Sequence, residues 1–274
     1  MTAADTRQVF VEGISFWAPR LPGWEVAEAV LAGNAVPPAA ALRRPSPETL
    51  PPAERRRAPD SVTLALEVAA RACSAAALDP AGLPSVFATT HADLVITDYL
   101  CETLVKTPLH TSPTKFHNSV HNAAAGYWCI TSGCHAPYTT VSVFGYSYAA
   151  GLLEAFMQVA SDGNPVLYVA FDIEACGPLL PVAVSRGLLG VGLVLAPNRS
   201  AQTVARLSWS IRPGKRDEMT RAEPGNAGLV EGNAMSPCLP LFERLARGGG
   251  PATLVLGPCS LLDVVVQDAR TPPP

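Results

Sequence analysis

PTKFHNSVHNAAAGYWCITSGCHAPYTTVSVFGYSYAAGLLEAFMQVASDGNPVLYVAFD, residues 113–172, is the stretch whose reading decides the fold. Residues 139–144 (TTVSVF) are β-branched and aromatic and read as a strand. Residues 147–160 continue as a long helix that stops at Ser161-Asp162-Gly163, and residues 165–172 (PVLYVAFD) form a second strand. The last strand is apolar at nearly every position, so both of its faces should be buried, as in a sheet with helices on each side. Strand, helix and strand in that order predict an α/β protein.

Working outward, residues 8–17 (QVFVEGISFW) read as a first strand and residues 24–32 as a short helix. Residues 37–59 are proline-rich and carry Arg43, Arg44 and the run Arg55-Arg56-Arg57. Proline lacks an amide donor, so this segment is expected to be an ordered surface loop with the arginines as a solvated face. Pro59-Asp60-Ser61 supplies a cap for a helix over 62–78, closed by Asp79-Pro80. A buried strand at 86–90 and a helix at 93–105 follow. Downstream, 187–196 (GLLGVGLVLA) is a further buried strand. The last 75 residues read as a strand at 206–212, a polar loop at 217–233, a helix at 239–246 stopped by Gly248-Gly249-Gly250, strands at 252–256 and 261–267, and a Pro272-Pro273-Pro274 tail.

The chain has 274 residues, of which 48% are hydrophobic and only 16% charged, with 20 basic against 23 acidic side chains. There is no basic excess with which to neutralise phosphates, so a nucleic-acid role is not expected. So few charges leave part of the surface apolar, which suggests that a partner chain covers it. No signal peptide or membrane span is expected, because the opening residues carry Asp5 and Arg7 and the longest apolar stretch, 187–197, is too short for a bilayer. Cys73, Cys101, Cys129, Cys134, Cys176, Cys238 and Cys259 form an odd, scattered set, expected to be free buried thiols of a cytoplasmic protein. No metal site is expected from Cys129 and Cys134, because no CxxC pair accompanies them.

Two local patterns could carry chemistry. Gly145-Tyr146-Ser147-Tyr148-Ala149 sits between strand and helix, where an elbow would present a nucleophile. However, Ala149 stands where a hydrolase elbow has glycine, and His91, His110, His117, His121 and His135 all precede Ser147, so Ser147 reads as a helix N-cap. The second pattern packs His117, Asn118, His121 and Asn122 together. His117 and His121 at i, i+4 would share one helical face and could ligate a metal, but no nearby carboxylate completes a site. A polar loop satisfying buried backbone groups is the simpler reading, and a loop fixed at a subunit interface is a third.

The segment quoted above resembles the N-terminal half of a β-ketoacyl synthase, a thiolase-fold condensing enzyme. The shared order is Asn122, then Ala125-Gly126 before a helix, the Ala136-Pro137 turn, the nucleophile strand, its helix and the next core strand. The likeness extends over about residues 9–198. It is closer still to the short β-ketoacyl-synthase-like proteins of aryl polyene and xanthomonadin-type pigment clusters, most specifically at SVHNAAAGYW and AAGLLEA. It implies a layered thiolase-like fold in one domain over 1–274, with residues 200–270 as a reduced second half.

Two departures from the family pattern bear on function. The active-site cysteine of condensing enzymes stands in a Thr-Ala-Cys context, and the match puts Val143, Phe144 and Gly145 there. Gly145 has no side chain with which to form a thioester, and the nearest cysteine, Cys134, lies on the wrong side of the strand. The family also takes two histidines from its second half to polarise carbonyls and assist decarboxylation. After His135 this chain has none.

The resemblance therefore implies a catalytically inactive, chain-length-factor-like subunit that needs no cofactor. It would pair with a ketosynthase subunit in a heterodimer, and meet the acyl carrier protein only through that partner. Its tunnel wall and interface are expected from Phe116, His117, Asn118, His121, Asn122, Ala123, Ala124, Ala125, Tyr127 and Trp128. The alternative is an independent thiolase-fold enzyme, a hydrolase using Ser147 or an acyltransferase using Cys134 or Cys176.

Overall fold

The computed structural model describes residues 7–269. Asp5, one of the two charges that argue against a leader, and the triple-proline tail lie outside this range. Strand β1 (Arg7–Ala18) turns through β2 (Leu21–Pro22) into helix α1 (Trp24–Leu31). The proline-rich segment holds one short helix, α2 (Pro52–Arg57), where a loop was expected. Proline is tolerated in a first helical turn, and Arg55 within the helix and Arg44 before it bind backbone carbonyls. Arg55 donates to the carbonyl of Leu50, and Arg44 reaches the carbonyl of Arg55 and pairs with Asp60 at 3.0 Å. The next elements are α3 (Asp60–Ala75), β3 (Ser85–Ala88), α4 (Leu94–Lys106), α5 (Pro113–Asn118), α6 (Ala123–Ser132), β4 (Tyr138–Val141) and α7 (Ser147–Asp162). Then come β5 (Val166–Asp172), β6 (Leu189–Ala196), β7 (Ala205–Pro213), α8 (Pro224–Ala227), α9 (Leu239–Ala246), β8 (Gly249–Gly257) and β9 (Ser260–Asp268).

The strands form one sheet in the order β4-β3-β5-β6-β1-β7-β9-β8, with β2 beside β1. Strand β3 runs parallel to β4 and β5, and the remaining pairs are antiparallel. The short C-terminal segment thus adds its three strands to the sheet of the first half. Strand β5 is buried at every residue, as its composition predicts. Val166, Tyr168 and Ala170 enter the core shared with α7, α1 and α9, whereas Leu167, Val169 and Phe171 enter the core under α3 and α6. Helices therefore cover both faces, giving three layers.

Helix α3 lies unusually close to the sheet. A Cβ added at Gly13 in β1 would meet the Ala72 carbonyl oxygen at 2.1 Å and the Ala76 nitrogen at 2.8 Å. A Cβ at Gly192 in β6 would meet the Val68 carbonyl oxygen at 2.8 Å. The glycines of the apolar strands are the seat on which this helix rests.

Several expectations are corrected. No side chain caps α3; Asp60 is its first residue and engages Arg44 instead. The strand expected over 139–144 ends at Val141, because Phe144 takes a left-handed conformation with φ 46° and turns the chain. Ala125-Gly126 lies inside α6, not before it. His117 belongs to α5, whereas His121 falls in the connection to α6, so the pair does not share a helical face. The polar loop at 217–233 contains α8. The cysteines are free, but Cys101 and Cys259 are exposed and Cys129 and Cys176 half-buried. Among the described residues no helix is long and apolar enough to cross a membrane.

Candidate functional site

The parallel strands β3, β4 and β5 end on the same side of the sheet, where α/β proteins place their ligands. The chain leaves β3 through Thr89, Thr90 and His91, leaves β4 through Ser142 to Tyr146, and ends β5 at Asp172. The Asp172 carboxylate is buried and ties these turns together. It accepts from the Thr89 hydroxyl at 2.8 Å, the Thr90 amide at 2.8 Å and the His91 amide at 3.1 Å. Burial pushes its pKa up, opposed by those three hydrogen bonds. Asn233, from the C-terminal segment, donates to the carbonyls of Asp172 and Arg186 at 3.2 and 3.0 Å. One side chain thereby ties the C-terminal segment to the strand ends.

The turn after β4 is over-determined. The Phe144 carbonyl accepts from the Thr90 hydroxyl at 3.2 Å and the Ser147 hydroxyl at 2.7 Å, and Ser147 Oγ accepts from the Val143 amide at 2.9 Å. These bonds hold a bulky residue at positive φ, a conformation that costs free energy. The Phe144 ring itself is 81% exposed. Ser147 opens α7 but is not its N-cap. Its hydroxyl is buried and donates to the Phe144 carbonyl, not to a histidine. Gly145 is exposed, and a Cβ built on it meets nothing within 4 Å. It borders a cleft of about 250 Å³ lined by Thr90, His91, Val182, Arg216 and Asn233.

The cysteines are no better placed. Cys134 Sγ donates to the Leu83 carbonyl, at the opposite end of the sheet from the cleft. Burial raises the Cys176 thiol, and the nearby Asp98, Asp93 and Glu174 raise it further, which disfavours a thiolate. Among the described residues no group of three or more His, Cys, Asp or Glu could hold a metal ion.

The residues expected to form a tunnel wall divide between core and surface. Ala124, Ala125 and Trp128 are buried in the core with α3. Asn118 is buried as well. His121 Nε2 lies 3.2 Å from the Thr89 carbonyl, and Asn122 donates to the Tyr138 hydroxyl at 3.0 Å. His117 and Tyr127 meet edge to face, with centroids 6.3 Å apart, and Ala123 is half-buried. Phe116 is 63% exposed, and Val120 and Ile130 are exposed too. The sequence reading missed the Thr89–Thr90–Asp172–Asn233 network. One signal was visible, a lone carboxylate closing an otherwise apolar strand.

Asp93 gives a pH test. It is buried, accepts from the Ser61 hydroxyl at 2.8 Å and caps α4 through the Ile96 amide at 3.0 Å. Desolvation raises its pKa above the ordinary 3.8, in spite of those bonds. Its contribution to stability is therefore full below that ordinary value and is lost as pH rises through the raised one. Asp93→Asn keeps the cap and cannot ionise. The variant should gain on the parent as pH rises through this window, measured by thermal unfolding; a constant difference would count against a raised Asp93.

The family described as beta-ketoacyl synthase, N-terminal domain, matches residues 24–236, well over half of the chain. No curated protein matches. Among solved structures, the chain is similar to one in the complex of the ketosynthase ApeO with its chain length factor ApeC from Xenorhabdus doucetiae. The TM-score is 0.70 and the identity 19%, covering 94% of this chain and 99% of that one. It is similar to a chain of the type II PKS complex AntDE:AntF, with TM-score 0.70 and 10% identity over 96% and 99%. It also resembles the PfaC keto synthase-chain length factor, with TM-score 0.60 and 11% identity over 98% of this chain and 43% of that one. At these identities the likeness establishes the thiolase-like ketosynthase fold alone. By the family match, the chain belongs to the β-ketoacyl synthase N-terminal domain family.

Proposed function

We propose that this chain is the non-catalytic, chain-length-factor-like partner of a β-ketoacyl-ACP synthase, shaping the acyl tunnel of a cytoplasmic heterodimer. The products would belong to type II fatty acid or polyketide-like synthesis of the aryl polyene kind. The observation that carries this is Gly145. At the strand-to-helix turn where the family holds its cysteine, the backbone opens onto a cleft with no side chain and free space beyond. No downstream histidine exists to activate a malonyl group. An acyl chain held in such a complex must therefore be carried by the partner's thiol.

The partner surface is argued from exposed apolar side chains. Leu104, Val105, Leu109, Phe116, Val120 and Ile130 are exposed on α4, α5, α6 and their connections. The neighbouring β4 is an edge strand with unpaired backbone groups. Exposed apolar side chains of this kind are what an interface would cover, and the similarity to complexes of ketosynthases with chain length factors favours a ketosynthase as occupant.

The test is the mass distribution of carrier-bound products made by the reconstituted pair. Phe116→Ala should lengthen the product by one or more two-carbon extensions. Because Phe116 is exposed in the free chain, the change should cost about 0.5 kcal/mol or less in its stability. Ala123→Phe should shorten the product, provided overpacking of about 1–3 kcal/mol is tolerated. Unchanged lengths with intact complexes would leave the chain a scaffold. Stoichiometric acylation of the lone chain at Ser147, Cys134 or Cys176 by an activated thioester would instead make it an enzyme in its own right.

A further inference from the structure

Among the described residues, the non-glycine positions with positive φ are Ala77, Ala92 and Phe144. Two of them carry only a methyl group. Phe144, with φ 46°, brings a bulky ring into a region that favours glycine and asparagine. That conformation costs free energy, and so does a phenyl ring left 81% exposed to water. At that exposure the ring gains little packing in return.

The surrounding turn keeps it there. The Ser147 hydroxyl is buried, and both of its hydrogen bonds go to this turn, to the Phe144 carbonyl at 2.7 Å and from the Val143 amide at 2.9 Å. The Thr90 hydroxyl holds the same carbonyl from the other strand end, and the Thr90 amide is itself fixed by the buried Asp172 carboxylate at 2.8 Å. Phe144 is thus tied to the ends of β3 and β5. Its ring borders the cleft of about 250 Å³ beside Gly145, which Val182, Val184 and Pro237 also line. Val182 and Val184 are 81% and 52% exposed. Apolar surface gathered at a cleft recognises hydrocarbon.

We propose that Phe144 is a specificity-determining residue for product length, a stop against which the hydrocarbon end of an acyl chain on the partner's thiol comes to rest. A stop must be rigid, because a ring free to change rotamer would admit chains of several lengths. The locked turn supplies that rigidity, with Thr90 and Ser147 as its positioning residues. The inference rests on the tunnel role proposed above and adds a residue on a different turn from Phe116 and Ala123.

The experiment uses the lone chain and the reconstituted pair. Phe144→Asn removes the ring yet suits a left-handed turn, so the thermal midpoint of the lone chain should hold or rise by up to about 3 °C. In the intact complex the carrier-bound products should lengthen by at least one two-carbon extension, and Phe144→Trp should shorten them. Ser147→Ala, or Thr90→Val where the first does not fold, should spread the products over two or more further lengths, which a merely structural hydroxyl would not do. An unchanged spread would overturn the positioning role. A midpoint lowered by more than about 3 °C in Phe144→Asn would overturn the proposal by showing that the ring packs within this chain. Loss of the complex in that variant would overturn it too, making the ring an interface anchor. Lengths that respond to Phe116→Ala or Ala123→Phe but not to Phe144→Asn would overturn the stop and leave the tunnel role standing. Lengths indifferent to all three would overturn both.

Discussion

Trp128→Ala is expected to cost roughly 3–5 kcal/mol of stability, the range for deleting a large aromatic from a packed core. Trp128 is 1% exposed and sits among the α3 and α6 side chains of the second core. Its Nε1 has no hydrogen-bond partner, so the loss is one of packing and not of polar pairing. Trp128→Phe should therefore recover more than half of it, because phenylalanine fills much of the volume and removes an orphaned donor. Urea unfolding with an unchanged m-value checks both variants. A cost below about 1 kcal/mol for the alanine variant would mean that the ring is not in the core. A folded Trp128→Ala complex with longer products would restore Trp128 to the tunnel wall.

The second large effect is expected at Gly13→Ala. The new methyl group would lie 2.1 Å from the Ala72 carbonyl oxygen and 3.0 Å from the Ala76 Cβ. A side chain could swing away, but the backbone of α3 cannot without lifting from β1 and β6. The cost should be about 3 kcal/mol, the upper end for overpacking. Ala76→Gly in the same chain should rescue little of it, because the tightest contact is to a carbonyl oxygen. A near-neutral Gly13→Ala would show that α3 slides freely on its seat. Thermal unfolding of the single and double variants decides between these outcomes.

The residues that were legible in advance are those whose own pattern contains the answer. β5 is apolar at six of seven positions and is buried at all of them, so its place between two helix layers could be read directly. The strand–turn–helix around Gly145 was legible for a similar reason, since β-branched residues stop where a long alanine- and leucine-containing helix begins. Asn118 and Trp128 were harder. Helix α6 reads AAAGYWCITS, small or apolar nearly all round, so its composition does not say which side faces the core. Packing against α3 decides it, turning Trp128 inward and leaving Ile130 outside.

The sequence by itself determined the α/β class, the buried strands and the want of any histidine after His135 in this chain. These depend on residue identity and short-range period, which the chain carries at every point. Only the tertiary structure decided that β7, β8 and β9 extend the first sheet, that Asp172 and Asn233 tie its strand ends together, and that Phe144, Val182 and Val184 share a cleft. Each of those depends on contacts between segments far apart in sequence, fixed by register and packing that no local period records.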